Sequence, residues 1–383
     1  MDGAIFNHSA ASVTTVGTYQ GQSSIRVSVI ILNYNGSRYL QRLFSSLNNQ
    51  SLSTFEIVFV DNASSDDSIY MVKQLCKNLR KGLTVKIIEN DRNFGYCKGN
   101  NIGASVVQNG TKYLVFLNND TYVDAHWLRN LVQNAESDNK VGLVGSRVDT
   151  VQKSSFATIA LACDFYGQTE GIALQIADGQ KVNSIGVKFF YCSGASMLVP
   201  RKVFWEVRGF DEALFMYHDE LDLCWRVRLS GYKVIVASSS VCYHVTNSFG
   251  YGLNLPVWKY YQGIAKNRIR VLLKNYATSS LLKYFPQTVT LVVLRGLLSG
   301  LVNRNVCYIS ALIKGLLWNI KNLRDTLSKR LETQRLRKVP EEDILAYMLP
   351  YSLEIAYFKR LLVHTPGESL GSSHAYQRIN YVD

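Results

Sequence analysis

Val27-Ser28-Val29-Ile30-Ile31-Leu32-Asn33-Tyr34-Asn35-Gly36 is a run of Val, Ile and Leu that stops abruptly on amides and a glycine. Such a run, bounded by turn formers, predicts a buried strand that delivers polar side chains at its carboxyl end. Leu40, Leu43, Phe44 and Leu47 then fall at helical spacing within Arg38 to Leu47. The same unit recurs three times. Phe55 to Val60 ends on Asp61, and a helix follows from about Asp66 through Met71, Val72, Leu75 and Leu79. Val85 to Ile88 leads into Asn93-Phe94-Gly95 and a short helix from Asn100 to Val107. Tyr113 to Leu117 ends on Asn118-Asn119-Asp120. Alternating strands and helices predict an α/β fold with a mostly parallel sheet, whose ligands bind beyond the carboxyl ends of the strands. Asn33, Asp61, Asn93 and Asp120 therefore gather where a ligand sits.

Outward from this core the signals vary. Asp149 to Lys188 shows no sustained period and reads as a variable insertion or acceptor loop. Phe189 to Val199 reads as a strand, and Pro200 to Val207 as a helix with proline in its first turn. Lys233 to Ala237 is a further strand, with His244 a few residues beyond it. Residues 1 to 24, rich in Ser, Thr, Gly and Gln, read as a flexible leader without the apolar stretch of a signal peptide. Long helices begin at Leu255. Leu281 to Val302 is very apolar, but its longest uncharged stretch, Tyr284 to Leu294, is 11 residues, short of the roughly 18 to 20 a spanning helix needs. Ile309, Leu312, Ile313, Leu316, Leu317, Ile320, Leu323 and Leu327 recur every three or four residues, with Lys314, Lys321, Arg324 and Trp318 among them. That pattern is a basic amphipathic helix suited to a membrane interface; packing on a neighbouring helix is the structural alternative.

The chain has 383 residues, 47% of them hydrophobic, which excludes disorder throughout. Its net charge of +13 admits nucleic acid, an anionic membrane surface or phosphorylated substrates. Between Lys259 and Lys338 there are 16 Lys+Arg and 2 Asp+Glu, so this one segment holds the whole excess. Its basic residues alternate with Leu and Ile, which fits lipid headgroups and argues against nucleic acid. The seven cysteines are odd in number and never spaced C-x-x-C, which speaks against a disulfide framework or a zinc module and for a reducing, cytoplasmic compartment.

Singly, Asp61, Asn93, Gly95 and Asp120 are ordinary turn residues. In order, however, Val27 to Asn35, Asp61-Asn62-Ala63-Ser64-Ser65-Asp66, Asn93-Phe94-Gly95 with Gly99-Asn100-Asn101, Asn118-Asn119-Asp120 and Tyr217-His218-Asp219-Glu220-Leu221-Asp222-Leu223-Cys224-Trp225-Arg226 resemble the family 2 glycosyltransferases of the GT-A fold. The resemblance is to the rhamnosyltransferase-like and galactofuranosyltransferase-like branch and covers about residues 25 to 275.

That resemblance implies an inverting transfer from a nucleotide-sugar donor to a hydroxyl of a glycan or lipid-linked acceptor, in polysaccharide or glycoconjugate synthesis. It assigns residues 25–125 to a nucleotide-sugar half and 126–275 to an acceptor and catalytic half; the basic amphipathic pattern makes residues 276–383 a helical, membrane-associating region. Asn33, Tyr34, Asp61, Asn93, Gly95 and Asn118 line the nucleotide-sugar site. The family's Asp-x-Asp is here Asn118-Asn119-Asp120, so Asp120, joined by His244, is the expected ligand of a divalent cation, Mn²⁺ or Mg²⁺. Ser193 and Gly194 lie on the acceptor side. Glu220 takes the place of the general base, with Asp219 in support. The expected location is peripheral, on the cytoplasmic face of the cell membrane. The alternatives are a degenerate GT-A scaffold that binds sugar nucleotide without turnover, which Asn118 invites, and a basic nucleic-acid-binding protein.

Overall fold

The computed structural model describes residues 12–16, 26–150, 156–175, 189–245, 256–356 and 358. Four parallel strands form the first half of one sheet: β2 (Val27–Asn33), β3 (Glu56–Asp61), β4 (Thr84–Glu89) and β5 (Tyr113–Asn118). Their β-branched and aromatic residues are almost wholly buried, as befits strands covered on both faces. One face carries α1 (Ser37–Asn48), α2 (Ser68–Cys76) and α4 (Trp127–Ala135), whose Leu40, Phe44, Val72 and Trp127 join one core. The other face carries α3 (Gly95–Ser105), α5 (Arg201–Glu206) and α6 (Asp219–Leu229), with Phe204, Leu223 and Trp225 in a second core.

Register places the polar strand ends side by side. Asn33 stands opposite Asp61, Leu32 opposite Asn118 and Asp61 opposite Glu89. Beyond β5 the sheet continues through β10 (Ser196–Pro200), β7 (Val141–Thr150), β11 (Lys233–His244) and β6 (Thr121–Val123). β10 runs antiparallel to β5, so the turn before it abuts Asn118, whose N–H donates to the Ala195 carbonyl at 3.0 Å.

Several sequence expectations change. Within the stretch read as a leader, Ser12–Val16 forms β1, an edge strand antiparallel to β4; its Val-Thr-Thr-Val core is β-branched and meets an open edge. The other leader residues lie outside the described residues. In the stretch read as a loop, β8 (Phe156–Cys163) and β9 (Thr169–Gln175) form a hairpin on β7, whereas 151–155 and 176–188 are not described. The strand expected from Phe189 begins only at Ser196. β11 does not stop at Ala237: it passes a register shift between Ala237 and Val241 and ends on His244 itself.

The C-terminal part is helical: α7 (Val257–Lys259), a π-helix (Tyr260–Arg268), α8 (Ile269–Asn275), α9 (Thr278–Val302), α10 (Cys307–Lys321), α11 (Leu323–Leu336) and α12 (Glu341–Leu345). The single amphipathic stripe is thus two helices, divided at Asn322, whose side chain caps the Trp318 carbonyl. At 25 residues, α9 is long and apolar enough to cross a membrane by length and composition, contrary to the sequence reading. The interrupting Arg295 is buried against Glu354, and a third of the apolar window is itself buried. All seven cysteines are free, and only Cys307 is exposed.

Candidate active site

On the donor side the strand ends form an amide network. Asn33 is fully buried; its Nδ2 donates to Asp61 Oδ1 at 2.8 Å and to Ser64 Oγ at 3.1 Å. Asp61 also accepts from Ser64 Oγ at 2.6 Å and Ser64 N–H at 2.8 Å, so its carboxylate locks the turn after β3. Asn119 Nδ2 donates to Asn33 Oδ1 at 2.7 Å, joining the Asn118-Asn119-Asp120 corner to β2. Gly36 admits this contact: a β-carbon there would sit 2.1 Å from Asn119 Nδ2. Asn62 links the next turn, donating to Asn93 Oδ1 and the Gly95 carbonyl, both at 3.2 Å, and accepting from Asn90. Gly95 has φ +78°, and its N–H donates to Asn93 Oδ1 at 2.8 Å. Tyr34 is half-exposed at the rim. Asn62, Asn90 and Asn119 were not singled out from sequence, although Asn62 and Asn119 stand inside the quoted motifs.

Past this network Asp120 Oδ1 lies 3.0 Å from His244 Nε2, both side chains mostly buried. Val245 N–H donates to the Asp120 carbonyl at 2.9 Å, and His244 pairs with Thr121 across β11 and β6, which fixes the two residues relative to each other. His244 Nε2 is buried and faces that carboxylate. A carboxylate oxygen and an imidazole nitrogen held side by side suit Mn²⁺ or Mg²⁺ as two protein ligands, leaving the remaining positions for phosphate oxygens and water. Among the described residues no group of three or more His, Cys, Asp or Glu side chains could hold a metal ion.

The acid pair opens α6. Asp219 is buried and Glu220 partly so. Burial raises the proton affinity of both, and of Asp219 most, because the Glu220 charge adds to desolvation there. The two carboxyls therefore titrate as a pair that keeps a proton to higher pH than isolated carboxylates do. A β-carbon on Gly194 would lie 3.7 Å from Glu220 Cδ, so the acceptor-side turn meets the acid directly. Tyr96 ties the two halves together, its hydroxyl donating to the Gly194 carbonyl at 2.9 Å. Ser193 braces that turn, its Oγ accepting from Ala195 N–H at 3.3 Å.

The segment delivering the pair is strained. Phe215, Tyr217 and His218 have φ of 67°, 69° and 61°, left-handed conformations that cost on the order of 1–3 kcal/mol each in residues with a β-carbon. Phe215 presses on Gly95, where a β-carbon would meet its carbonyl at 2.7 Å, and that carbonyl accepts from Cys97 N–H at 3.1 Å. Burial holds His218 neutral, with its pKa down at about 4. From the far side the π-helix reaches in: Lys266 Nζ donates to the Ala213 carbonyl at 2.7 Å, and Asn267 Nδ2 to the carbonyls of Met216 and Tyr217, both at 2.8 Å. No local signal in the sequence marks these helical residues as part of the site.

Beneath α6 lies a buried ionic network. Asp222 pairs with Arg226 and Lys274, both at 2.8 Å. Lys274 also binds Asp211 at 2.7 Å, and Arg270 bridges Asp211 and Asp325. Arg268 and Arg295 share Glu354. Four basic residues of the charged segment are thus neutralised inside the fold.

A mixed sheet with a parallel half, flanked by helices, with its polar strand ends, an Asx-Asx-Asp corner and an acid pair, is the GT-A architecture. In solved structures it is found in GalNAc-T7 with UDP, GalNAc and Mn²⁺, at a TM-score of 0.52 and 18% identity over 66% of this chain and 48% of that one. Residues 28–208 match the family model of Glycosyl transferase family 2. Curated relatives include the low-salt glycan biosynthesis hexosyltransferase Agl10 of Haloferax volcanii, 25% identical over 53% of this chain. Rhamnosyltransferase WbbL of Escherichia coli is 26% identical over 54% of this chain and 79% of its own length. The chain spans 61% of the length of the Haloferax protein and 37% of an uncharacterized glycosyltransferase of Haemophilus influenzae.

Proposed function

We propose that the protein is an inverting, divalent-cation-dependent glycosyltransferase that moves a sugar from a nucleotide-sugar donor to a hydroxyl of a glycan or lipid-linked acceptor. The observation that carries this reading is the acid pair: Asp219 and Glu220 share a site that raises their proton affinity, and Glu220 faces Gly194. Relatives named as a hexosyltransferase, a rhamnosyltransferase and an amylovoran biosynthesis glycosyltransferase support transfer of a hexose or deoxyhexose in surface-glycan synthesis.

Asn33, Asp61, Ser64, Asn93 and Gly95 shape the donor floor, Tyr34 offers its half-exposed ring to the base, and Asn118 faces ribose or sugar. Asp120 and His244 would hold the cation, which supplies positive charge against the diphosphate as it departs. The acceptor approaches along Ser193-Gly194 with its hydroxyl toward Glu220. Glu220 removes the hydroxyl proton, the oxygen forms a bond to the anomeric carbon, and the bond to the nucleoside diphosphate breaks on the opposite face, inverting the centre. Asp219 donates its hydrogen bond to Glu220, setting its direction and basicity.

We place the enzyme at an anionic membrane surface, on the cytoplasmic face. α9 to α11 expose Leu301, Val306, Ile313, Leu317, Ile320 and Leu331, with exposed Lys314, Lys321 and Arg324 beside them. Apolar burial plus attraction to acidic headgroups is the physics of interfacial attachment, and free cysteines suit a reducing compartment.

The test is calorimetry of nucleoside diphosphates with Mn²⁺ and with chelator, on the wild type and Asp120→Ala. Binding is expected to need the metal and to be lost in the variant; equal affinity in all arms removes the cation assignment. Cosedimentation with phosphatidylglycerol vesicles tests the surface, and an intact chain that ignores them refutes it.

A further inference from the structure

The strained arch Ala213 to His218 carries no glycine, yet three of its residues are left-handed. Its carbonyls point toward the π-helix, and three side chains of that helix receive them. Asn267, fully buried, donates from one amide nitrogen to the carbonyls of Leu214 at 3.0 Å, Met216 and Tyr217. Gln262 donates to the same Leu214 carbonyl. In an α-helix residues five apart stand about 140° apart around the axis and could not meet at one oxygen; the wider i→i+5 turn brings 262 and 267 onto one face. α10 supports that unusual turn. Gly315 leaves room for Ala265, where a β-carbon would sit 2.5 Å away, and Asn319 donates to the carbonyls of Ala265 and Lys266 at 3.3 and 3.1 Å. Lys266 Nζ lies over the Trp318 ring, 4.5 Å from its centroid.

We propose that Asn267 is a positioning residue for the general base: by gathering three carbonyls of the arch it fixes the left-handed entry to α6 and so aims Glu220 at the acceptor turn. This rests on the transferase reading above. Asn267 touches no substrate; it acts through the backbone of Leu214, Met216 and Tyr217. A π-bulge in a helix frequently marks a functional site, and here its product is the shared reach of Gln262 and Asn267.

The experiment uses the full chain with a nucleotide-sugar panel, Mn²⁺ and a membrane-lipid extract as acceptor, comparing wild type, Glu220→Gln, Asn267→Ala and Gln262→Ala. Asn267→Ala should lower kcat by about 10²-fold, the effect of misplacing a catalytic group by an ångström, while donor KM stays within about twofold. The acid limb of its pH profile should also move to higher pH, as Glu220 loses the Asp219 hydrogen bond that lowers its proton affinity; Tyr96, Cys97 and Tyr217 are the other titratable groups around it. A purely structural role would lower the folded fraction and leave that limb in place. Folded Asn267→Ala with wild-type kcat and an unmoved limb overturns the proposal. If that variant does not fold, Gln262→Ala decides, since Asn267 still holds the Leu214 carbonyl: a smaller fall in kcat, about fivefold, is expected, and wild-type kcat overturns the proposal. A wild type without turnover, or a fully active Glu220→Gln, shows instead that the transferase reading has failed, and the positioning role falls with it.

Discussion

At the donor edge, Asn33, Asp61, Asn62, Asn90 and Asn93 bond to partners 28 to 31 residues away, those brought alongside by sheet register. At the acid pair the arch and α6 are held by residues 50 to 59 positions distant, through carbonyls bent out of ordinary geometry and carboxylates buried with Lys274 and Arg270. Three strands in register present their end groups with little further constraint. Burying two unequal carboxyls requires strain, a proton and a second layer of helices. The difference teaches that the binding side of such a site is a property of the sheet, and the reacting side a property of what is packed against it.

The largest expected effect breaks the comparison at the acid pair. Glu220→Gln should leave nucleoside diphosphate affinity unchanged and reduce transfer by a factor of about 10² to 10⁴, with Asp219→Asn costing less. If Asp219→Asn is the dead variant and Glu220→Gln the active one, the roles are exchanged. Next comes Asp222→Asn, which leaves Lys274 and Arg226 short of a buried counter-charge. Such losses cost about 3–5 kcal/mol, so urea unfolding should show a large drop in midpoint. An unchanged midpoint would mean that the network is solvated. On the donor side the corresponding change, Asn62→Ala, strands Asn90 and should cost only about 1–3 kcal/mol, with the fold kept and nucleotide affinity reduced. A cost as large as that of Asp222→Asn would erase the distinction between the edges.

The smallest effect has an unusual sign. Because the folded pKa values of Asp219 and Glu220 lie above those of the unfolded chain, the folded state holds protons that the unfolded chain releases. The pair's stability contribution is complete below the ordinary carboxylate range near 4 and is lost as pH rises through the raised values. Glu220→Gln should therefore unfold at a higher temperature than wild type at pH 7 to 8 and at the same temperature near pH 4. A variant less stable at neutral pH contradicts the assigned burial.

The sequence made the sheet legible because its signals are local. Val27 to Leu32 and Tyr113 to Leu117 are continuous apolar runs closed by amides, and they became β2 and β5 with shifts of a single residue. β11 was cut short because Ser238-Ser239-Ser240 interrupts its pattern, although pairing with β7 resumes at Val241. The arch was invisible: nothing in Phe215, Tyr217 or His218 announces a left-handed backbone, which tertiary contacts impose. Charge misled in part. Arg268, Arg270, Lys274 and Arg295 look like membrane-facing cations in a composition window, but each meets a carboxylate inside the fold.

Cys307 begins α10, beside exposed Val306, at the turn joining the two most apolar helices. Because the other six thiols are buried, a maleimide spin label added to the unaltered protein would attach at this single place. The chain thus carries its own depth gauge: collision with oxygen or with a water-soluble nickel chelate would report whether that helical tip rests among headgroups, dips into hydrocarbon or stays in water, without engineering one residue.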